Sequence, residues 1–345
     1  RSRSCEATAR RAGGCAAVKL AFHAVDDTPD GARWAAIAHQ LWPGYRRWYT
    51  QQGIANRPTY RECRLALQQH MPEFVPEWER LVELGGGGDL FARFLSLWEP
   101  PAYLSACSQA VWPGPEPMLV RNYDYTTAGF DALCLRTRWG GRDVMGTSDC
   151  LIGLVAGIND AGLVVSLTFG GQRDVGSGFG MPIILRYVLQ TCDTTPEAVA
   201  VLERVPSHMA YNVTVVDAER RVMTVQVAPG TPALVTRAPV ATNHQSRGQW
   251  QAHARMTATV EREQYLLRRL MLHEDSAEHF IGAFLRPPIY SLAFDRGFGT
   301  LYTAVYRADR RTLSYRWPHY EWPLSLARFE PAQRLIDYPV APAAF

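Results

Sequence analysis

Residues 103–124, YLSACSQAVWPGPEPMLVRNYD, contain the pattern that decides the fold. Two runs of mainly apolar residues, 107–112 and 118–123, flank a cluster of three prolines and a glycine at 113–117. Short apolar runs bounded by proline and glycine are typical of strands. The segment therefore predicts a β-hairpin whose first strand begins at Cys107.

The hairpin predicts that polar residues of its second strand lie beside Cys107. Arg121 and Asp124 stand at the end of that strand, which an antiparallel hairpin places opposite the start of the first. A nearby arginine favours the thiolate form of a cysteine, so this combination suits a nucleophilic site. The same residues also fit a small buried structural cysteine and a surface ion pair. At this level both interpretations stay open.

Periodicity changes on either side of the hairpin. Upstream, residues 31–80 place apolar and aromatic side chains at helical spacing, before four glycines at 85–88 and two prolines at 100–101. Downstream, helices are predicted at 183–192, 196–202 and 259–272, and strands at 133–139, 154–158, 163–169, 211–217, 221–227, 301–306 and 312–317. This order predicts an α+β protein built on antiparallel sheets, rather than alternating βαβ units.

Composition and charge narrow the class of protein. The 345 residues are 47% hydrophobic and 20% charged, which is ordinary for a globular enzyme. A net charge of +3 gives no reason to expect a nucleic-acid partner. No apolar run reaches the ~18 residues of a membrane span, and we expect a cytoplasmic protein. The seven cysteines are irregularly spaced and include no Cys-x-x-Cys pair, so we expect no disulfide framework, no metal and no cofactor.

Four motifs occur in an order that matches one known family. They are Cys107-Ser-Gln-Ala, Leu-Val-Arg121-Asn-Tyr-Asp124-Tyr, Asn159-Asp-Ala-Gly-Leu-Val-Val-Ser and Thr242-Asn243-His-Gln. With these motifs, residues 100–320 resemble the acyl-coenzyme A:6-aminopenicillanic acid acyltransferase family of N-terminal nucleophile hydrolases. The resemblance implies a four-layer αββα sandwich of two antiparallel sheets. It also implies a helical pro-segment over residues 1–106 and a catalytic domain over residues 107–345.

The resemblance further implies an activity and the residues that carry it. The chain would cut itself between Ala106 and Cys107, and then act as an amide hydrolase or acyltransferase through a Cys107 acyl-enzyme. The freed α-amine, whose ordinary pKa is ~7.7–8.0, would serve as the base for its own thiol. Arg121 is expected near the thiolate and Asp124 near the α-amine. Asn243 is expected to donate a hydrogen bond to the oxyanion.

Other residues match the family less specifically. Arg262 matches an arginine in a Ser-x-x-Arg setting, with Thr259 in place of the serine, but it also fits a helix-surface charge paired with Glu261 or Glu263. A further place for oxyanion or pocket contacts is held by Thr168, Phe169 and Gly170. The implied partners are a small N-acyl substrate and, as further options, acyl-coenzyme A or an amine acceptor. The two fragments are expected to stay associated.

Two rival interpretations start from the same residues. Cys107 and His244 would form the catalytic pair of a papain-like thiol protease that does not cut itself. A papain-type cysteine lies at a helix N-terminus, whereas Cys107 begins a predicted strand, and this difference favours the first interpretation. The second rival is a binding module without catalysis. This interpretation does not explain why the chain contains Cys107, Arg121, Asp124 and Asn243 together.

Overall fold

The hairpin that begins at Cys107 belongs to one of two β-sheets. The computed structural model describes residues 17–28, 30–272 and 276–339. Within these ranges the helices are α1 Ala32–Tyr49, α2 Tyr60–His70, α3 Val75–Leu84, α4 Asp89–Leu95, α5 Met181–Thr191, α6 Thr195–Arg204, α7 Gln251–Thr257, α8 Thr259–Met271 and α9 Ala277–Phe284. The strands are β1 Ala17–Asp26, β2 Ala106–Trp112, β3 Met118–Tyr125, β4 Leu133–Thr137, β5 Val144–Asp149, β6 Gly153–Asn159, β7 Val164–Phe169, β8 Tyr211–Val216, β9 Val222–Ala228, β10 Thr231–Thr236, β11 Val240–Ala241, β12 Leu292–Ala293, β13 Phe298–Arg307, β14 Thr312–Trp317, β15 Tyr320–Ser325 and β16 Ala332–Pro339.

The larger sheet has the strand order β10-β9-β8-β7-β6-β5-β4-β1-β16. Its neighbouring strands are antiparallel, except that β1 and β4 pair in parallel. β1 comes from the segment before Cys107 and pairs with β16 from Ala17↔Pro339 to Ala24↔Ala332. An interior strand of this sheet therefore belongs to the segment that the sequence pattern described only as helical.

The smaller sheet contains the predicted hairpin. Its strand order is β11-β2-β3-β13-β14-β15, and β12 pairs with β13. In the antiparallel register of β2 and β3, Ala106 lies opposite Asp124 and Gln109 lies opposite Arg121. The hairpin prediction is confirmed, and so is the placement of the polar end of its second strand beside Cys107.

The two sheets pack face to face with helices on their outer sides. Between the sheets, the rings of Phe22 on β1 and Tyr315 on β14 have centroids 4.7 Å apart, and Gln109 Nε2 donates to the carbonyl oxygen of Ser166 on β7 at 3.2 Å. Helices α5 and α6 cover the larger sheet, and α8 and α9 cover the smaller. The layers are therefore helix, sheet, sheet, helix, which confirms the αββα sandwich of an N-terminal nucleophile fold.

The helical pattern predicted upstream of the hairpin is confirmed by α1–α4. A capping box starts α2, because the Glu62 backbone N–H donates to Thr59 Oγ1 while the Glu62 carboxylate accepts from the Thr59 N–H. Trp34 on α1 donates its indole N–H to the carbonyl oxygen of Leu151 at 2.9 Å, directly after β5. These helices thus dock on loops of the sandwich, close to the strand ends that hold the polar residues.

Candidate active site

Cys107 is the second residue of β2 and is fully buried. In the uncut chain its backbone pairs with Tyr123 on β3. Burial raises the pKa of the thiol, while the neighbouring Arg121 acts in the opposite direction. The thiol is therefore protonated at neutral pH, and action as a nucleophile would require a base.

Arg121 lies beside the thiol, as the hairpin predicts. Its Nη2 donates to Cys107 Sγ at 3.4 Å, and its Nη1 donates to the carbonyl oxygen of Val155 at 2.6 Å. The guanidinium is fully buried, 5.3 Å from the ring centroid of Tyr123. A fixed, buried cation at this distance stabilises a thiolate when the proton leaves.

Arg262, near the start of α8, makes the largest number of polar contacts in the site. Nη1 donates to the Cys107 carbonyl oxygen at 2.8 Å and to Ser108 Oγ at 2.6 Å, and Nη2 donates to Asn243 Oδ1 at 2.8 Å. Its carboxylate partner is Asp124, at 3.5 Å. The side chain is only 5% exposed, so the alternative of a helix-surface charge is wrong.

Asn243 contacts the bond that the resemblance marks for cleavage. Its Oδ1 accepts the Cys107 backbone N–H at 2.9 Å, and its Nδ2 donates to the Phe169 carbonyl oxygen at 3.2 Å. The loop is fixed on the other side, where the Asn243 N–H donates to Thr259 Oγ1 at 2.6 Å. Asn243 thus holds the Cys107 amide nitrogen through its side-chain oxygen, and the side-chain nitrogen of Asn243 keeps a second hydrogen.

Gly171 allows this loop to approach the strand end. Its φ is +70°, and a Cβ added there would lie 2.3 Å from the Asn243 carbonyl oxygen. Only glycine avoids both the strain of the left-handed region and this collision. The Phe169-Gly170-Gly171 segment therefore has a steric role in placing Asn243.

Asp124 is buried beside Arg262. Thr300 Oγ1 donates to its Oδ1 at 2.7 Å, and Arg262 Nη1 lies 3.5 Å from its Oδ2. Burial raises the pKa of Asp124 to about 6, although Arg262 opposes the increase. The carboxylate is therefore ionised at neutral pH and loses its charge under mildly acidic conditions.

Thr168, Phe169 and Gly170, at the C-terminal end of β7, bond to backbone groups or to Asn243 in this structure. Thr168 Oγ1 donates to the carbonyl oxygen of Thr242 at 2.7 Å, and the Gly170 N–H donates to the carbonyl oxygen of Ala210 at 2.7 Å. Phe169 contributes its carbonyl oxygen to Asn243. Thr168 and Phe169 therefore hold the loop that carries Asn243, whereas the Gly170 N–H bonds to the residue before β8.

His244 is oriented by residues other than Cys107. Its Nε2 lies 3.1 Å from Glu263 Oε2, and its Nδ1 lies 3.0 Å from Thr259 Oγ1. Both ring nitrogens are thus engaged by α8. The geometry does not bring Cys107 and His244 together as a thiol–imidazole pair.

Sequence reasoning missed several hydroxyl groups around Cys107. Ser105 Oγ lies 3.8 Å from Cys107 Sγ, and Ser108 Oγ accepts from Arg262. The only sequence signal for either is that it flanks the cysteine. Thr300 comes from β13, far along the chain, and nothing in its sequence context indicates a contact with Asp124.

Two cavities are lined by residues of the hairpin or of the segment just before it. The first, the Ala106 cavity, has a volume of about 250 Å³ and is lined by residues that include Ala106, Asp124, Arg262 and Tyr290. The second, the α1 cavity, has a volume of about 390 Å³ and lies between α1 and the loops that follow β3 and β5. Its walls include Tyr45, Trp48, Tyr103, Tyr125, Asp131 and Asp149. The site therefore has room for a small organic substrate.

The described ranges hold neither a membrane-spanning helix nor a cluster of metal ligands. These residues include no helix with both the length and the apolar character that a bilayer span needs. They also include no group of three or more histidine, cysteine, aspartate or glutamate side chains placed to hold a metal ion.

Comparison with known proteins places the chain in a family. Residues 112–322, more than half of the chain, match the sequence model of acyl-coenzyme A:6-aminopenicillanic acid acyl-transferase. The αββα layers have the architecture of an N-terminal nucleophile fold. The chain belongs to the acyl-coenzyme A:6-aminopenicillanic acid acyl-transferase family, as its motifs predict. The matched region begins just after Cys107, so the role of this residue is argued from the geometry.

Solved structures with a similar fold come from several organisms. Penicillin V acylase from Agrobacterium tumefaciens has a TM-score of 0.47 and 16% identity, over 64% of this chain and 87% of that chain. A mutant conjugated bile acid hydrolase from Clostridium perfringens has a TM-score of 0.44 and 12% identity, over 66% of this chain and 96% of that chain. The N-acylethanolamine-hydrolyzing acid amidase ortholog from Caenorhabditis elegans has a TM-score of 0.44 and 14% identity, over 64% of this chain and 99% of that chain. A search of curated protein sequences gave no match.

Proposed function

We propose that this protein is a self-cleaving cysteine N-terminal nucleophile enzyme that transfers acyl groups from small linear amides or thioesters. The acceptor is water in a hydrolase and an amine in an acyltransferase, and both routes pass through a Cys107 thioester. The supporting observation is that three atoms of Cys107 are each held: Sγ by Arg121, N by Asn243 and O by Arg262. A buried structural cysteine requires none of these contacts.

Self-cleavage uses the contacts of the uncut chain. Sγ attacks the Ala106 carbonyl carbon, a C–S bond forms and the C–N bond breaks. The thiol proton ends on the amide nitrogen, which becomes the α-amine of Cys107. Water then hydrolyses the thioester and leaves a carboxylate on Ala106 and a free thiol on Cys107. Throughout, Asn243 Oδ1 accepts from the nitrogen and fixes its position.

Turnover repeats the acyl transfer with an external substrate. The neutral α-amine takes the Cys107 proton as the thiol attacks the substrate carbonyl, and returns a proton to the leaving group. The antiparallel register puts Asp124 opposite Ala106, which supports a role in orienting the new α-amine. The second hydrogen on Asn243 Nδ2 is suited to the oxyanion once the Ala106 carbonyl has left.

The topology supports continued association of the two fragments after cleavage. β1 lies between β16 and β4 and pairs with both. Phe22 on this strand is fully buried against aromatic rings of the smaller sheet. Loss of the N-terminal fragment would expose two strand edges and this core residue, at a cost comparable to unfolding.

Intact mass under denaturing conditions tests this proposal against the thiol-protease rival. The wild-type protein is expected to give two fragments divided between Ala106 and Cys107. A His244→Gln variant, which keeps a hydrogen-bonding side chain, is expected to be cut as well and to retain kcat within about threefold, since His244 does not contact the thiol. A wild-type chain that stays intact, together with activity that disappears in His244→Gln, would establish the rival.

The pH dependence of turnover tests the role of Asp124. Because burial raises its pKa to about 6, the carboxylate is charged above that pH and pairs with Arg262; below it, Asp124 is neutral and the pair is lost. We expect kcat/KM of the wild-type enzyme to fall as the pH drops through about 6. Asp124→Asn keeps the size of the side chain but removes its charge. We expect this variant to have a low kcat/KM and to show no fall in kcat/KM near pH 6. The same inflection in both proteins would assign it to another group.

A further inference from the structure

The α1 cavity combines aromatic walls with two carboxyl groups. The rings of Tyr45, Trp48, Tyr103, Tyr125 and Phe130 all line it. Asp131 and Asp149 belong to the loop after β3 and to the end of β5, respectively. Aromatic faces attract cations, and carboxylates bind them directly. This combination differs from the purely apolar lining that an unsubstituted acyl chain requires.

The protein satisfies only one of the two oxygens of Asp131, and Asp149 is held by two neutral donors. Tyr45 Oη donates to Asp131 Oδ1 at 2.7 Å, while Asp131 Oδ2 is buried and has no hydrogen-bond partner among the described residues. Asp149 is only 9% exposed and accepts from Tyr103 Oη at 3.1 Å and from Cys150 Sγ at 3.7 Å. Within the described ranges neither takes part in an ion pair. A buried carboxylate without a cation carries a large desolvation cost.

The electrostatic environment of the two carboxyl groups favours their neutral forms. Burial raises the pKa of Asp131 to about 7 and that of Asp149 to about 6, and the neighbouring Asp149 raises that of Asp131 further. Arg121 acts to lower the pKa of Asp149. The exposed Arg47 also lines the cavity. A ligand cation placed between the two carboxyl groups would favour the ionised form of both.

The cavity is close enough to the nucleophile to hold part of a substrate. Tyr103 precedes Cys107 by four residues, so their Cα atoms are at most about 14 Å apart. Tyr125 follows Tyr123, the strand partner of Cys107, by two residues. A substrate whose carbonyl lies at Cys107 Sγ can therefore extend into the cavity with a chain of moderate length.

Tyr103 shows how such a ligand would be held. In the uncut chain its phenol lies in the cavity wall, donates to Asp149 and has its ring 6.0 Å from that of Trp48. After a cut at Ala106–Cys107, the segment that carries Tyr103 has a free end. A substrate group that donates to Asp149 can then replace the phenol.

We propose that the α1 cavity binds a protonated amine carried by the substrate, placed between Asp131 and Asp149 and against the aromatic rings. The inference deepens the proposed function and rests on it, since it concerns the substrate of the same Cys107 site. It names the substrate class as N-acyl amides or thioesters with a primary or secondary ammonium group at a distance from the scissile carbonyl.

Matched substrates test this proposal on the cleaved enzyme. One amide carries a terminal ammonium group on its acyl chain, and its partner carries a methyl group in that place; a second pair varies the amine half in the same way. We expect wild-type kcat/KM to be at least about tenfold higher for the ammonium member of one pair, the value of a charged hydrogen bond. Asp149→Asn and Asp131→Asn should remove that preference, because they lower kcat/KM for the ammonium substrate more than for its methyl partner.

Asp174→Asn is the matched control, because Asp174 is exposed and does not line the cavity. The Asp174→Asn enzyme should keep the preference for the ammonium substrate. Equal turnover of both members of each pair by the wild type would overturn the proposal, and so would an equal loss of both substrates in Asp149→Asn. If the enzyme turns over neither member of either pair, the proposed function is wrong, whatever the cavity binds. Calorimetry then tests the cavity by itself. Binding of butylammonium that is no tighter than binding of butanol would overturn the cavity assignment as well.

Discussion

The Cys107→Ala protein is expected to remain one uncut chain and to lose acyl transfer. Self-cleavage and turnover are proposed to use the same Sγ atom, so the substitution removes the nucleophile of both. The loss should lower kcat by about 10⁴-fold or more. Denaturing mass analysis measures the cut, and assays with N-acyl amino acids, N-acyl amines and acyl-coenzyme A donors measure the turnover.

The chain offers a matched control for this experiment. Cys134 is a fully buried free cysteine on β4, in the other sheet, and its environment contains no arginine contact to the sulfur. Cys134→Ala should be cut and active, apart from a modest loss of stability. Cys107→Ser keeps a weaker nucleophile and should be cut slowly. A cut or active Cys107→Ala protein would show that the nucleophile is another residue.

Arg262→Ala is expected to have the second-largest effect. The arginine joins the Cys107 carbonyl, Asn243 and Asp124, and its removal leaves the buried Asp124 without a cation. Removing one partner of a buried ion pair typically lowers the free energy of unfolding by about 3–5 kcal/mol. We therefore expect self-cleavage to be at least about a hundredfold slower, with a lower free energy of unfolding measured in denaturant.

A double variant separates the two consequences of losing Arg262. Combining Arg262→Ala with Asp124→Asn removes the unpaired charge, so the free energy of unfolding should recover in part. Cleavage should stay slow, because Asn243 and the Cys107 carbonyl remain without their guanidinium. Full recovery of cleavage in the double variant would mean that Arg262 acts only on stability.

Local patterns were enough to predict that Arg121 and Asp124 lie beside Cys107. Cys107, Arg121 and Asp124 lie on one hairpin, and antiparallel pairing fixes which of their side chains meet. The turn residues between the strands set that register, so no distant information is needed. The order of the motifs added the αββα architecture, which the two sheets confirm.

The contacts of Arg262 could not be predicted from its surroundings in the sequence. It stands between two glutamates on an amphipathic helix, where a surface charge is an equally good interpretation. Only the packing of α8 against β2 buries it and brings it to Cys107, 155 residues earlier in the chain. The side-chain orientation of Asn243 was likewise inaccessible, because it depends on donors from β2 and α8 at once.

β1 illustrates a second limit of local patterns. The strand pairs with residues more than 300 positions away, a separation that no local pattern reveals. Its parallel pairing with β4 depends on a chain path that no short-range turn signals. A helical description of residues 1–106 therefore omitted the part of that segment that lies inside the sheet.

The long-range origin of the site has a consequence for biosynthesis. Asn243, Arg262 and Thr300 are added to the growing chain well after Cys107, and each contacts Cys107 directly or through Asp124. A ribosome-bound chain that ends before them presents an ordinary peptide bond at Ala106–Cys107. The proposed cut thus waits for synthesis and folding to reach the last of these residues, and an aborted chain stays whole.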